Sequence, residues 1–294
     1  MTIKKAVIPA AGFGTRFLPA SKAVPKELLP IVDKPTIQYI AEEAIDTGIT
    51  QVILVTGREK GSIEDHFDIS FELEHHLRSK GKSDLLKLVQ DISEMVQIVS
   101  VRQKMPLGLG HAILCAKQIV GNHPFAVLLA DDIVDADPPC LRQMIDVYND
   151  LRKGIILAIK EVPRREVYQY GIIGGKKVGN RLYKVDALVE KPSVEEAPSN
   201  LAVIGRYLLP PEIFDVLESL PPGKGGEIQL TDAIARLGET YPIYGYRFDG
   251  ERYDAGDKMG FFAANVRFGL KHPDLGPRIA AFIKEVAEEL REAE

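Results

Sequence analysis

The chain has 294 residues, 45% apolar and 27% charged, enough to bury a sizeable core as one large domain or a domain with a subdomain. Lys plus Arg number 37 against 42 Asp plus Glu, a net charge of −5, which argues against bulk binding to nucleic acid or an anionic membrane. An anionic substrate therefore needs a local cationic pocket.

The two cysteines, Cys115 and Cys140, form neither a CxxC pair nor a disulfide-dense pattern, so thiol chemistry, structural zinc and secretion find no support. Residues 1–9 lead into a strand pattern without a signal-peptide core, and no apolar run is long enough to span a bilayer. The expected location is cytoplasmic.

In chain order, residues 5–10 read as a short buried strand that opens into the glycine-bearing loop 11–16. Ile37, Ile40, Ala41, Ala44 and Ile45 recur at helical spacing, and residues 51–55 read as the next strand, completing a βαβ unit of a parallel sheet. Residues 66–93 are polar and helix-prone; His75 and His76 are adjacent, so a helix points them to different faces, and the segment reads as a solvated excursion, not a metal site. The pattern then repeats: a strand at 95–101, a helix at 108–120, and a continuous apolar strand at 125–130 that ends in Asp131-Asp132. Loops at strand C-termini are where open α/β sheets bind ligands.

Beyond Gly154 the pattern changes to short strands at 155–162, 171–174, 182–189 and 201–208, separated by Gly, Pro and Asn turns. Helices return at 212–220 and 227–237, followed by a strand at 243–248 and helices at 258–270 and 277–293. In the last of these Ile279, Phe282, Ile283, Val286 and Leu290 share one face, a stripe suited to its own core or to a neighbour. The predicted organisation is a single domain over 1–294, with a nucleotide half near 1–153, a sugar-phosphate half near 154–256 and C-terminal helices near 257–294.

The loop is the first candidate site. Gly12-Phe-Gly-Thr-Arg-Phe17 begins like a dinucleotide fingerprint, but Phe17 stands where a third glycine is required and no acidic residue ends the strand near Val55, so a nicotinamide oxidoreductase fits poorly. No GxxxxGK[ST] loop is present either. Two readings remain open for the glycine turn with Arg16 and nearby Lys26: a cradle for a triphosphate, or a tight turn bearing two solvated cations.

The wider pattern carries a resemblance. Ala10-Ala-Gly-Phe-Gly-Thr-Arg-Phe-Leu-Pro19, Lys22-Ala-Val-Pro-Lys-Glu-Leu-Leu-Pro30, Gln103-Lys-Met-Pro-Leu-Gly-Leu-Gly-His-Ala112, Asp131-Asp132, Tyr170-Gly-Ile-Ile173 with Val189-Glu-Lys-Pro192, Gly226-Glu-Ile-Gln-Leu-Thr-Asp232 and Arg252-Tyr-Asp-Ala-Gly256 follow in order. Together they resemble the sugar-nucleotide pyrophosphorylases, most closely the bacterial uridylyltransferase branch acting on glucose 1-phosphate. The resemblance implies a Rossmann-like three-layer α/β nucleotidyltransferase fold with a mostly parallel central mixed sheet, a smaller sugar-binding β subdomain and C-terminal helices.

It further implies a reaction: UTP and glucose 1-phosphate give UDP-glucose and pyrophosphate, the sugar phosphate attacking the α-phosphorus in line with the leaving group. Two polyanions must meet, so positioning and charge neutralisation are the main tasks. By resemblance Lys191 contacts the sugar phosphate and the α-phosphate, while Arg16 and Lys26 grip the leaving phosphates; Ala11, Gly12, Gly14 and Thr15 belong to the nucleotide loop. Asp131 closes a buried strand, from which a carboxylate reaches a Mg²⁺ that bridges phosphates. Asp254 resembles the family's second metal carboxylate. Asp132, grouped with the nucleotide contacts, is a ligand, an orienting neighbour or a helix N-cap for the segment near Pro138.

Gln103, whose amide donates and accepts, and the backbone of Gly108 resemble the pyrimidine-reading pair, favouring U or T over C or a purine. Gly171, Glu190 and Val203 match the sugar contacts, glucose over galactose resting on resemblance alone. Relatives assemble as dimers or dimers of dimers, so a homo-oligomer, dimer or tetramer, is expected. The competing readings are a dTTP-preferring thymidylyltransferase for the same sugar phosphate, against which the two loop sequences stand, and a silent regulatory paralogue, against which the intact Thr15, Arg16, Lys26, Asp131 and Lys191 stand.

Overall fold

The computed structural model describes residues 3–293; Met1, Thr2 and Glu294, the ends of the expected single domain, lie outside the described residues. In chain order the elements are β1 (Lys5–Ala10), the short pair β2 (Pro30–Ile31) and β3 (Lys34–Pro35), α1 (Thr36–Asp46), β4 (Gln51–Thr56), α2 (Gly61–Asp65), α3 (Phe71–Ser79), α4 (Ser83–Glu94), β5 (Gln97–Arg102), α5 (Leu109–Cys115) and α6 (Lys117–Val120). Then follow β6 (Phe125–Leu128), β7 (Asp132–Asp135), α7 (Cys140–Leu151), β8 (Ile155–Glu161), β9 (Gly171–Gly179), β10 (Leu182–Glu190), β11 (Leu201–Leu209), α8 (Ile213–Ser219), α9 (Leu230–Leu237), β12 (Ile243–Arg247), β13 (Glu251–Asp254), α10 (Lys258–Lys271) and α11 (Gly276–Glu292).

A nine-stranded sheet of order β5-β4-β1-β6-β11-β8-β12-β10-β9 forms the middle layer. β1, β4, β5, β6, β8, β9 and β12 run one way, and β10 and β11 oppose them. Because side chains alternate across a strand, each buried strand feeds two cores. Ala6, Ile8, Val52, Leu54, Ala126, Leu128, Ile156 and Ala158 pack on one face with Ile37, Ile40 and Ala44 of α1 and Leu141 and Met144 of α7. Val7, Ile53, Val127, Ile155, Leu157 and Ile159 pack on the other with Ile113 of α5, Phe214 and Leu217 of α8, and Ala233 and Ile234 of α9. Strands buried on both faces are continuous apolar runs, which is why 51–55 and 125–130 could be read as strands.

Several elements depart from the expected pattern. The helix expected over 108–120 is two, broken at Ala116, whose carbonyl accepts from both Ile119 and Val120. The Lys5 ammonium caps the second piece through the carbonyls of Ile119 (2.5 Å) and Val120 (3.2 Å), a bond spanning more than a hundred residues that no local pattern reports. β6 ends at Leu128, since Leu129 turns to donate to Gly205 O (2.8 Å). Asp132 therefore opens β7, paired antiparallel with β13 so that Asp132 faces Asp254. The helix-cap reading of Asp132 is overturned by this pairing; α7, not among the expected elements, starts after Pro139.

The second half does not build a separate sheet. β11 inserts between β6 and β8, and β8 to β12 extend the same layer. The C-terminal stripe is only partly covered: Ile279 packs against Gly269 of α10, Ile283 and Val286 are half-buried, and Phe282 and Leu290 are exposed. No helix among the described residues is long and apolar enough to cross a membrane.

Candidate active site

The C-terminal ends of β1 and β6 open on the same side, and the loops that leave them meet there. The turn after β1 carries Gly14 at φ +66°, followed by a 3-10 turn over Thr15–Phe17 that presents Arg16, whose Nη1 donates to Gly256 O at 3.2 Å. Lys26 begins the third 3-10 turn of this stretch, after one at Ala20–Lys22, and is fixed by the neighbouring Glu27, which is 2% exposed and paired with Lys60 at 2.7 Å. An ion pair buried this deeply is costly to break because each charge would be left without water; it holds the segment bearing Lys26.

Lys26 Nζ lies 2.6 Å from Asp131 Oδ2. Burial by itself would raise the carboxyl's pKa, but the ammonium's charge and hydrogen bond outweigh it and hold Asp131 below the ordinary carboxylate range. Reciprocally, burial would lower the Lys26 pKa, and Asp131 raises it above the ordinary lysine value. Both groups stay charged at neutral pH.

The hairpin β7–β13 brings Asp254 to Asp131. Ala255 N donates to Asp131 O at 2.7 Å, and Asp254 Oδ1 accepts from Gly256 N at 2.9 Å. Gly256 lies between the two carboxylates: a Cβ there would stand 2.7 Å from Asp131 Oδ2 and 3.0 Å from Asp254 Oδ1, so a larger residue would displace the Asp131 carboxylate. Two hard carboxylate oxygens converging on one point suit Mg²⁺, which takes oxygen ligands and keeps waters or phosphate oxygens in its remaining positions. Among the described residues no group of three or more His, Cys, Asp or Glu has metal-holding geometry.

Asp132 is 5% exposed and both its oxygens are taken, Oδ1 by Arg252 and Oδ2 by the amide of Gly205 at 2.9 Å. The backbone carbonyl accepts from the fully buried Arg206, itself paired with Glu43 at 2.7 Å. Both oxygens of the Asp132 carboxylate are thus held by protein partners beside Asp131 and Asp254.

Gly171, Glu190, Lys191 and Val203 meet where β9 and β11 begin and β10 ends. Gly171 pairs with Glu190 across the β9–β10 ladder, and Thr231 at the start of α9 donates to Glu190 Oε2 at 2.7 Å. Lys191 leaves β10 with φ +45°, a left-handed conformation that few non-glycine residues adopt, and its amide donates to Tyr170 O at 3.0 Å. The ammonium is half-exposed, 3.5 Å from Glu190 Oε1. Val203 precedes an irregularity in the β11–β8 ladder.

At the base-reading segment, Gln103 is 8% exposed; its amide nitrogen donates to Gly108 O at 3.1 Å and lies 3.0 Å from His111 Nδ1. Gly108 has φ +95°, and a Cβ there would meet Glu227 Cβ at 2.7 Å. Gly110 N donates to Ile228 O and Ile228 N to Leu107 O, both 2.8 Å, which ties this segment to the one that leads into Thr231.

All the sequence-selected residues line three adjoining cavities. One of 660 Å³ is walled by Arg16, Asp131, Asp132, Gly171, Glu190, Lys191, Val203 and Asp254. Another of 450 Å³ is walled by Ala11, Gly12, Arg16, Lys26, Gln103, Gly108 and Asp131; a small third holds Gly14, Thr15, Arg16 and Lys26. Arg16 and Asp131 bound the two larger ones, so a cation and a carboxylate stand at their junction. Sequence reasoning did not single out Thr231, Tyr170, Arg252 or the Glu27–Lys60 pair, although each but Lys60 lies inside a quoted motif.

The nucleotidyl transferase family model matches residues 5–269. The chain is 54% identical over 285 residues to a UTP–glucose-1-phosphate uridylyltransferase of Staphylococcus epidermidis, covering 97% of this chain and 98% of that one. It superposes on the UTP-bound UGPase of Acinetobacter baumannii with TM-score 0.90 and 47% identity, covering 97% and 99% of the two chains. A UDP-glucose pyrophosphorylase complexed with UDP-glucose gives TM-score 0.85 and 46% identity, covering 92% of this chain and 100% of that one.

Proposed function

Because the chain belongs to the nucleotidyl transferase family, we propose that it transfers a uridylyl group from UTP to glucose 1-phosphate, giving UDP-glucose and pyrophosphate. The observation that carries this reading is the junction of the two cavities. Arg16 and Lys26 stand on the side of the glycine loop, Lys191 and Glu190 on the side of β10, and Asp131 between them.

Each side does one part of the work. Backbone amides of the loop 11–15 approach phosphate oxygens, and Arg16 and Lys26 neutralise the β- and γ-phosphates that leave. Gln103 and the backbone of Gly108 read the edge shared by uracil and thymine. Lys191 draws the sugar phosphate oxygen to the α-phosphorus, and Glu190, held by Thr231, accepts from sugar hydroxyls beside the Gly171 and Val203 backbones. No protein nucleophile is needed, since the sugar phosphate itself attacks.

Asp131 and Asp254 would hold Mg²⁺, which when bound would offset the negative charge of the phosphates. Lys26, paired with Asp131 at 2.6 Å, stands beside the carboxylate that would take the metal. A homo-oligomer, dimer or tetramer, belongs to the same proposal, read by light scattering of the purified chain; a cytoplasmic location fits soluble substrates of this kind.

The test is pyrophosphate release from UTP, dTTP, CTP and ATP, each with glucose 1-phosphate and Mg²⁺. The expected result is preference for UTP, falling by about a hundredfold to a thousandfold in Lys191→Ala. Preference for dTTP would move the chain to a thymidylyltransferase, and no turnover with any pair would sink the enzymatic reading.

A further inference from the structure

One guanidinium joins the two halves of the cleft. Arg252 lies on β13, 13% exposed at its side chain, and each of its nitrogens is engaged. Nε and Nη2 face Asp132 Oδ1, Nη2 also donates to Asp254 Oδ2 at 3.1 Å, and Nη1 donates to the Tyr170 hydroxyl at 3.2 Å. The guanidinium also lies 5.4 Å from the centre of the Tyr170 ring.

These contacts reach different parts of the site. Through Asp254, whose other oxygen is fixed by Gly256 N, Arg252 sets the carboxylate that converges with Asp131. Through Tyr170, whose carbonyl accepts from Lys191 N, it sets the turn that carries the sugar-phosphate lysine. Through Asp132, whose other oxygen binds Gly205 N, it sets β11 beside Val203.

The charges require such a group. Asp131, Asp132 and Asp254 crowd together, and among the described residues the cationic side chains bonded to their carboxylates are Lys26 and Arg252. Without Arg252, Asp132 and Asp254 would repel each other in a water-poor place. A lysine restores the charge but offers no planar fork, so it cannot reach three differently placed acceptors at once.

We propose that Arg252 is a positioning residue whose single guanidinium aligns the metal-holding carboxylate Asp254 and the sugar-phosphate turn Tyr170–Lys191 together, with the nucleotide loop least dependent on it. This rests on the function proposed above. None of the three residues that Arg252 bonds is itself bonded to Arg16, Lys26 or Gln103. The route to Arg16 runs only through the backbone of Gly256, whose amide holds Asp254 and whose carbonyl accepts from Arg16. Loss of Arg252 should therefore weaken metal and sugar phosphate in parallel and UTP recognition least.

The experiment compares wild type with Arg252→Lys and Tyr170→Phe. Mn²⁺ binding to the UTP complex is followed by electron paramagnetic resonance, and KM for UTP and for glucose 1-phosphate by pyrophosphate release. Arg252→Lys is expected to raise the Mn²⁺ Kd and KM for glucose 1-phosphate each by about tenfold or more, with KM for UTP within about twofold. Tyr170→Phe, which removes only the sugar-side link, should raise KM for glucose 1-phosphate by roughly threefold to tenfold and leave the Mn²⁺ Kd unchanged.

An Arg252→Lys protein with wild-type Mn²⁺ affinity overturns the proposal, as does one in which KM for UTP rises along with the others. If Arg252→Lys does not fold, an unchanged KM for glucose 1-phosphate in Tyr170→Phe overturns it. Failure of the wild type to turn over UTP and glucose 1-phosphate counts against the function instead, and the Mn²⁺ comparison still reads the role of Arg252.

Discussion

At the scale of single residues, Lys191 combines function with a backbone cost. A side chain at φ +45° costs about 1 kcal/mol or more relative to glycine, and glycine returns part of that through the greater freedom of its unfolded chain. Lys191→Gly is therefore expected to change stability by no more than about 1 kcal/mol while losing about a hundredfold to a thousandfold in turnover. Thermal unfolding and pyrophosphate release on the same preparation check this; a large loss of stability would show that Lys191 serves the fold. Glu190, Lys191 and Pro192 stand in a quoted motif, but the strain at Lys191 was not legible, since its amide is held by the carbonyl of Tyr170, just before β9 and distant in sequence. Asp132 makes the same point. Adjacent acidic residues look equivalent in a sequence, and only their partners tell them apart: Lys26 on Asp131, Arg252 and Gly205 on Asp132.

At the scale of elements, the segment bearing Gly108 and Gly110 and the segment 227–231 act as one piece. A Cβ at Gly110 would stand 2.7 Å from Ile228 O and 2.9 Å from Leu217 Cδ2, a clash with backbone that no rotamer relieves. Gly110→Ala should thus force the two segments apart. Expected are a loss of roughly 1–3 kcal/mol in stability and a rise in KM for both UTP and glucose 1-phosphate, because the base segment and the Thr231–Glu190 contact shift together. Steady-state kinetics with each substrate varied in turn would reveal a rise confined to UTP, which would mean that the coupling stops at Ile228. Strands buried on both faces and helices with a plain apolar stripe were readable from periodicity. β7 and β13 were not, because Asp132–Asp135 and Glu251–Asp254 are short and rich in charge, and they are strands only by pairing with each other.

At the scale of the molecule, order along the chain misleads about partition in space. A boundary near 153 follows the change from long alternating elements to short strands, yet β11 lies between β6 and β8, so each half completes the other's sheet. A fragment ending at 153 leaves β6 as an unpaired edge and strips the α8 and α9 layer from one core. It is expected to show no cooperative unfolding transition in circular dichroism or calorimetry, whereas a sharp one would prove the nucleotide half autonomous. Long-range strand insertion of this kind has no local signature, so the expectation of a smaller β subdomain did not contain it. The shared sheet has a mechanical consequence as well. With Asp131 following β6, Val203 on β11 and Glu190 on β10, both banks of the cleft hang from one continuous sheet. A continuous sheet leaves no seam between two lobes, so relative movement of the cleft walls would be carried by loops that border it, such as the one bearing the exposed Phe13 beside the 450 Å³ cavity.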